Sequence, residues 1–129
     1  YAKCIRIEAA TMAEMVRRQI LPAGQAALRE LGQTSRAKQE ISPLLSCKAE
    51  ELLGTQIANY NDMLLAGCTL LENLLRDFPS GTEEQKALYA RDRLLPAMNE
   101  LRQAADALEQ MCPAHLWPMP TYGELLYGV

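Results

Sequence analysis

Aromatic side chains are scarce in this 129-residue chain: one Phe, one Trp and five Tyr. Val is scarcer still, and no run mixes Val, Ile, Thr and Tyr as strands do. No apolar run approaches the ~18 residues that a membrane-spanning helix needs. The first ten residues, "YAKCIRIEAA", carry charge throughout and do not form a signal peptide. Without a targeting segment, a cytoplasmic location is expected. Charge of one sign is missing too: the net charge is −3, with acids and bases interspersed. No basic stripe offers itself to nucleic acid and no basic amphipathic face to a membrane surface, so neither is expected as a partner.

Chemistry-bearing patterns are equally thin. The four cysteines (Cys4, Cys47, Cys68 and Cys112) form no CxxC pair and are too dispersed for a disulfide scaffold, so reduced thiols are expected. His115 is the single histidine. Cys112 lies three residues before it, but Pro113 separates the two and no third group orients them as a nucleophilic pair. The chain contains no Glu-x-x-His of the kind that builds carboxylate metal sites in helical bundles. It also lacks GxGxxG, a phosphate loop and a nucleophile elbow. Neither a catalytic nor a metal or cofactor site is expected.

What remains is rich in Leu, Ala, Met, Glu, Gln and Arg, all good helix formers. Apolar residues recur at helical steps in three segments, which predicts an all-α antiparallel bundle of three long helices, in one domain. The first helix is expected over about 3–31, with Ile5, Ala9, Met12, Val16, Ile20, Ala27 and Leu31 inward and Gly32 as its stop. Residues 33–42 read as a turn. Ser42 followed by Pro43 reads as the start of a second helix over about 43–77, with Leu45, Leu52, Gln56, Tyr60, Leu64, Gly67 and Leu71 inward. Gly54 and Gly67 suit close approach of a neighbouring helix. "FPSGTEEQ" supplies a Pro-Ser-Gly turn, and Thr82 with Gln85 a capping box, for a third helix over about 82–111, which Pro113 stops. Its inward residues are Leu88, Leu94, Leu95, Met98, Leu101, Ala105 and Leu108. The tail, 112–129, is expected to be extended around Trp117, Pro118 and Pro120.

Two stretches repeat an oddity. "RRQILPA" (17–23) and "RDRLLPA" (91–97) each place a proline inside a helical pattern. Pro22 and Pro96 remove a backbone donor and crowd the carbonyl one turn earlier, so a kink is expected at each, both near one level of the bundle and near Gly67. The flanks do not support an internal duplication, since Gly24 aligns with Met98 and Leu28 with Arg102. Arg17, Arg18, Arg91 and Arg93 precede the prolines; they form a small basic patch if the two sites are level, and otherwise pair with nearby acids. Trp117, Tyr122, Leu125 and Leu126 in the tail either clasp their own bundle or dock on another domain or subunit.

Three blocks carry a family resemblance: "IRIEAATMAEMVRRQILPA" (5–23), "RDRLLPAMNELRQAADALE" (91–109) and "LWPMPTYGELL" (116–126). In order and spacing they resemble the C-terminal helical region of type III glutamine synthetases. Residues 33–80 match that region only as amphipathic helix. The resemblance implies a large parent chain, an ATP-dependent glutamate–ammonia ligase that uses Mg or Mn and assembles as stacked rings. That family's catalytic and metal-binding signatures have no matching positions here, so it implies no catalytic residue and no cofactor for this piece. The start at Tyr1, already in helical pattern, fits an excised domain. The partners implied are the remainder of its own chain and neighbouring subunits. The alternative is a free-standing helical adaptor that binds a protein through the bundle groove and the Trp117 tail.

Overall fold

The computed structural model describes residues 1–118. Tyr122, Leu125 and Leu126 lie outside the described residues. The rest is helical, without a strand among the described residues: α1 (Ala2–Met15), α2 (Leu21–Ile41), α3 (Lys48–Arg76), α4 (Glu83–Tyr89) and α5 (Leu95–Met111). A five-residue π turn, Val16–Ile20, joins α1 to α2, and a second, Ala90–Leu94, joins α4 to α5. Backbone angles stay helical through both junctions, so the five segments make three long helices.

The first helix runs past Gly32 to Ile41, ten residues beyond its expected end. Gly32 costs about 1 kcal/mol against Ala inside a helix but does not end one by itself. The following residues are mostly good helix formers, and packing holds them. Leu28 and Leu31 reach the Gly54 position from across the interface, and Lys38 Nζ lies 2.6 Å from the Glu50 carboxylate. Conversely, the second helix does not begin at Pro43. Ser42 is extended, and its hydroxyl accepts from Leu44 N–H at 3.1 Å, a local turn that goes no further. The helix starts at Lys48 instead, with Ser46 Oγ accepting from its amide at 3.2 Å. Lys38 helps to close the connection by donating to Ser46 O at 3.0 Å.

The third helix begins as expected. Thr82 Oγ1 accepts from Gln85 N–H and Gln85 Oε1 from Thr82 N–H, at 3.1 and 2.9 Å. It ends at Met111, before Pro113, and a single 3₁₀ turn, Ala114–Leu116, follows where an extended tail was expected.

The core is built mainly from one face of each helix. Ile5, Ala9, Ala13, Val16, Ile20 and Ala27 come from the first, and Leu94, Met98, Leu101, Ala105 and Leu108 from the third. These agree with the helical steps in the sequence, except that Leu88 is exposed. In α3 the buried set is Ile57, Asn61, Leu64, Cys68 and Leu71. Leu45, Leu52 and Gln56, expected inward, are exposed.

Successive helices pair in opposite senses. Cys68 Sγ donates to Ala13 O, Gly24 abuts Asn61 and Lys38 meets Glu50, so the contacts descend α3 as they climb the first helix. Tyr89 Oη donates to Leu74 O at 2.7 Å, and Leu101 covers Gly67, repeating the reversal between α3 and the third helix. At the closed end Phe78 meets Tyr89 edge to face (5.4 Å, 82°), and the Arg6 guanidinium lies 4.5 Å above the Phe78 ring.

Candidate functional site

The two proline sites share one local solution. Leu21 N–H donates to Val16 O and Leu95 N–H to Ala90 O, each five residues back instead of four. The wider turn comes immediately before the residue that has no donor. Pro22 and Pro96 themselves are exposed, while Ile20, Ala23, Leu94 and Ala97 are buried. The proline, and the exposed residue one turn before it (Arg18 or Asp92), thus sit on the side where water can replace the missing amide.

The sites are not level, contrary to expectation. Val16 and Ile20 line a groove with Leu101 and Ala105, and Leu101 in turn covers Gly67. The Ala90–Leu94 turn packs beside α1 instead, one residue after Tyr89 and its bond to Leu74. The two turns are therefore staggered by about two helical turns along the molecule. Gly67 accompanies the first and not the second. The stagger follows from where the helices begin: Ala2 is twenty residues before Pro22, but Glu83 only thirteen before Pro96.

With the turns offset, the four arginines find separate neighbours. Arg17 makes a two-pronged pair with Glu72 of α3, both contacts at 2.8 Å. That hydrogen bonding holds the Glu72 carboxyl below its ordinary value and raises the guanidinium. Arg18 lies 3.7 Å from Glu14 on its own helix. Arg91 donates to the adjacent Asp92 at 2.9 Å, which lowers that carboxyl. Arg93 stands near Tyr89, whose hydroxyl burial pushes upward. No common basic patch results.

Two residues after Pro22, α2 and α3 come into close contact. A Cβ on Gly24 would collide with Asn61 Oδ1. Asn61 is 4% exposed, and its amide oxygen and nitrogen have no hydrogen-bond partner among the described residues. Gly67 is tight as well, a Cβ there standing 3.1 Å from Leu101 Cδ1, whereas Gly54 has ordinary contacts at 3.8 Å and beyond.

The described part of the tail is tied down. His115 Nε2 meets Glu30 Oε1 of α2 at 2.8 Å, and Trp117, half-buried, packs on the core and lines the ~260 Å³ groove that holds Met12, Val16 and Ile20. Trp117 is extended (φ −79°, ψ 122°), as the following Pro118 favours. Burial pushes the Cys112 thiol upward, and the His115 imidazole is engaged with Glu30. Cys68 is likewise raised by burial. Among the described residues no three His, Cys, Asp or Glu side chains gather as a metal site, and no helix is long and apolar enough to cross a membrane.

One surface escaped the helical-step reading. Leu52, Met63 and Leu70 lie on one stripe of α3 and are 62%, 54% and 46% exposed. Beside the stripe runs an open groove of about 610 Å³, lined on the α3 side by Tyr60 and Gly67 and on the α5 side by Leu101, Ala104 and the charged Glu100. The signal was present in the sequence as an absence: from Leu52 to Leu71 the only charged residue is Asp62.

No family model matches the chain, and no solved structure does. Two curated proteins match it nearly end to end. It is 25% identical to a type-3 glutamine synthetase of Dictyostelium discoideum over 98% of this chain, and 28% identical to a glutamine synthetase of Butyrivibrio fibrisolvens over all of it. The chain spans 18% and 19% of those proteins, about a fifth of their length. Over its whole length, then, this helical chain is similar to one part of a type III glutamine synthetase.

Proposed function

We propose that the chain is a non-catalytic helical module, the C-terminal region of a type III glutamine synthetase, with a structural, interdomain or subunit-contact role. The observation that carries this reading is the end-to-end similarity to about a fifth of two glutamine synthetases. On this reading the parent is a cytoplasmic glutamate–ammonia ligase that uses ATP with Mg or Mn at residues outside this chain. The module's partners are then the remainder of the same chain and neighbouring subunits. Its three helices form an antiparallel bundle whose axes bend at Pro22 and Pro96, since π turns and prolines are the common sites of helix bending. Trp117 supports a bracing role, because it already joins the tail to the first and third helices.

The test is titration calorimetry on the 129-residue chain with ATP and with glutamate, alongside glutamine formation by the longer chain with and without the module. The expected result is no specific binding to the module and weakened assembly of the longer chain when it is removed. Stoichiometric binding of either ligand to the module would overturn the reading.

A further inference from the structure

An outward helix face in water ordinarily carries charge. The first helix shows Lys3, Arg6, Glu8 and Glu14, and the third Glu100, Arg102, Asp106 and Glu109. Between Leu52 and Leu71 the outward side of α3 carries a single charge, Asp62, off the stripe. Leu52, Met63 and Leu70 are separated by eleven and seven residues, close to three turns and two, so they stack on one stripe. The exposed residues between them on that stripe are Gln56, Asn59 and Ala66, none of them charged. The open groove along its edge adds Tyr60 and Gly67. An uncharged strip that exposes three large apolar side chains marks a contact surface.

We propose that this face of α3, centred on Met63 and Leu70, is where another segment of the same, longer polypeptide packs. The inference rests on the reading of the chain as one module of a synthetase, and it names the surface that joins module to remainder. Two features choose this occupant over a second copy. The chain accounts for 18–19% of its relatives, so most of such a polypeptide lies outside it. The strip is also one helix wide and about 27 Å long. That is narrow beside the roughly 800 Å² per partner of a stable complex between free proteins. A contact within one chain escapes most of the association cost and holds with less area. The absence of charge on the strip specifies an uncharged counterpart, apolar opposite Met63 and Leu70.

Hydroxyl-radical footprinting with mass spectrometry tests this on the longer chain, with the 129-residue chain as reference. Met63 and Leu70 are expected to be several-fold protected in the longer chain, while Leu88, exposed to a similar degree at 42%, is labelled equally in both. Met63→Lys and Leu70→Lys are expected to restore labelling of Leu52 in the longer chain. If either fails to fold, the footprint of the unsubstituted protein still decides. Equal labelling of Met63 in both chains overturns the proposal. So does a concentration-dependent dimer of the 129-residue chain that protects Met63 by itself, which would assign the face to a second copy. Glutamine formation is assayed separately: protection of Met63 in a longer chain that is no ligase would sink the synthetase reading and leave this face standing.

Discussion

The segments around Pro22 and Pro96 begin alike and end differently. Each has a π turn, then Leu-Pro-Ala, with the proline exposed and the neighbouring apolar residues buried. One residue further on, the first has Gly24 and the second Met98, both buried. At Gly24 helix α3 comes in close through Asn61, and nothing larger than hydrogen fits. At Met98 the same space is filled from within by a flexible side chain. Outside the core, the first segment is tied to α3 by the ion pair Arg17–Glu72, whereas the second meets α3 through Tyr89 Oη on Leu74 O and pairs its charges locally, Arg91 with Asp92. The local sequence sets the backbone solution, and the neighbouring helix decides what that solution supports.

The strongest way to break this comparison is to hollow both segments at the same place. Leu94→Ala and Ile20→Ala each remove a buried side chain two residues before a proline and should cost about 2–5 kcal/mol, read by denaturant unfolding. Similar losses would show that the two turns are equally anchored in the core. Next in size, Gly24→Ala should cost about 1–3 kcal/mol, since its Cβ would collide with the amide end of buried Asn61, which must shift to make space. Adding Asn61→Ala should return much of that loss; a purely additive double variant would mean that the close approach is not what constrains Gly24.

The cap sharpens the contrast at the other site. Only α4, seven residues with none buried, precedes the Ala90–Leu94 turn, so that segment depends on its start. Thr82→Ala should cost about 1 kcal/mol and speed amide exchange from 83 to 89 more than from 95 to 111. The smallest effect is electrostatic. Glu72 is held below its ordinary 4.5, so the folded state binds fewer protons there than the unfolded. Its contribution is complete above pH 4.5 and is lost as pH falls through the lowered value. Arg17→Gln should flatten that part of the stability–pH curve, and added salt should do the same, because the pair is exposed. Arg91→Gln should flatten it less, since residues adjacent in sequence stay close in the unfolded chain too.

Much of the fold was legible because its signals are local. A capping box spans four residues, and both Thr82 and Gln85 make its bonds. Pro113 and the 79–81 turn act on the residues beside them. The candidate contact face was less legible. α3 carries leucines in pairs (Leu52–Leu53, Leu64–Leu65, Leu70–Leu71 and Leu74–Leu75), so two different stripes are apolar, and at the first pair both leucines are exposed, Leu52 included. The near-absence of charge between residues 52 and 71 was the usable clue, because it marks a helix with little surface made for water.

By itself, then, the amino-acid order determined that the chain is helical, where the third helix starts and stops, and where two prolines interrupt the hydrogen-bond ladder. These depend on backbone groups within a turn or so of one another. Only the tertiary structure decided that the first helix continues to Ile41, that Leu52 faces out along with Met63 and Leu70, and that the two π turns are offset. Each of those outcomes is set by what lies across the interface: Gly54 and Glu50 for the first helix, Asn61 for Gly24, Leu101 for Gly67. Contacts between residues tens of positions apart carry that information, and no local pattern encodes it.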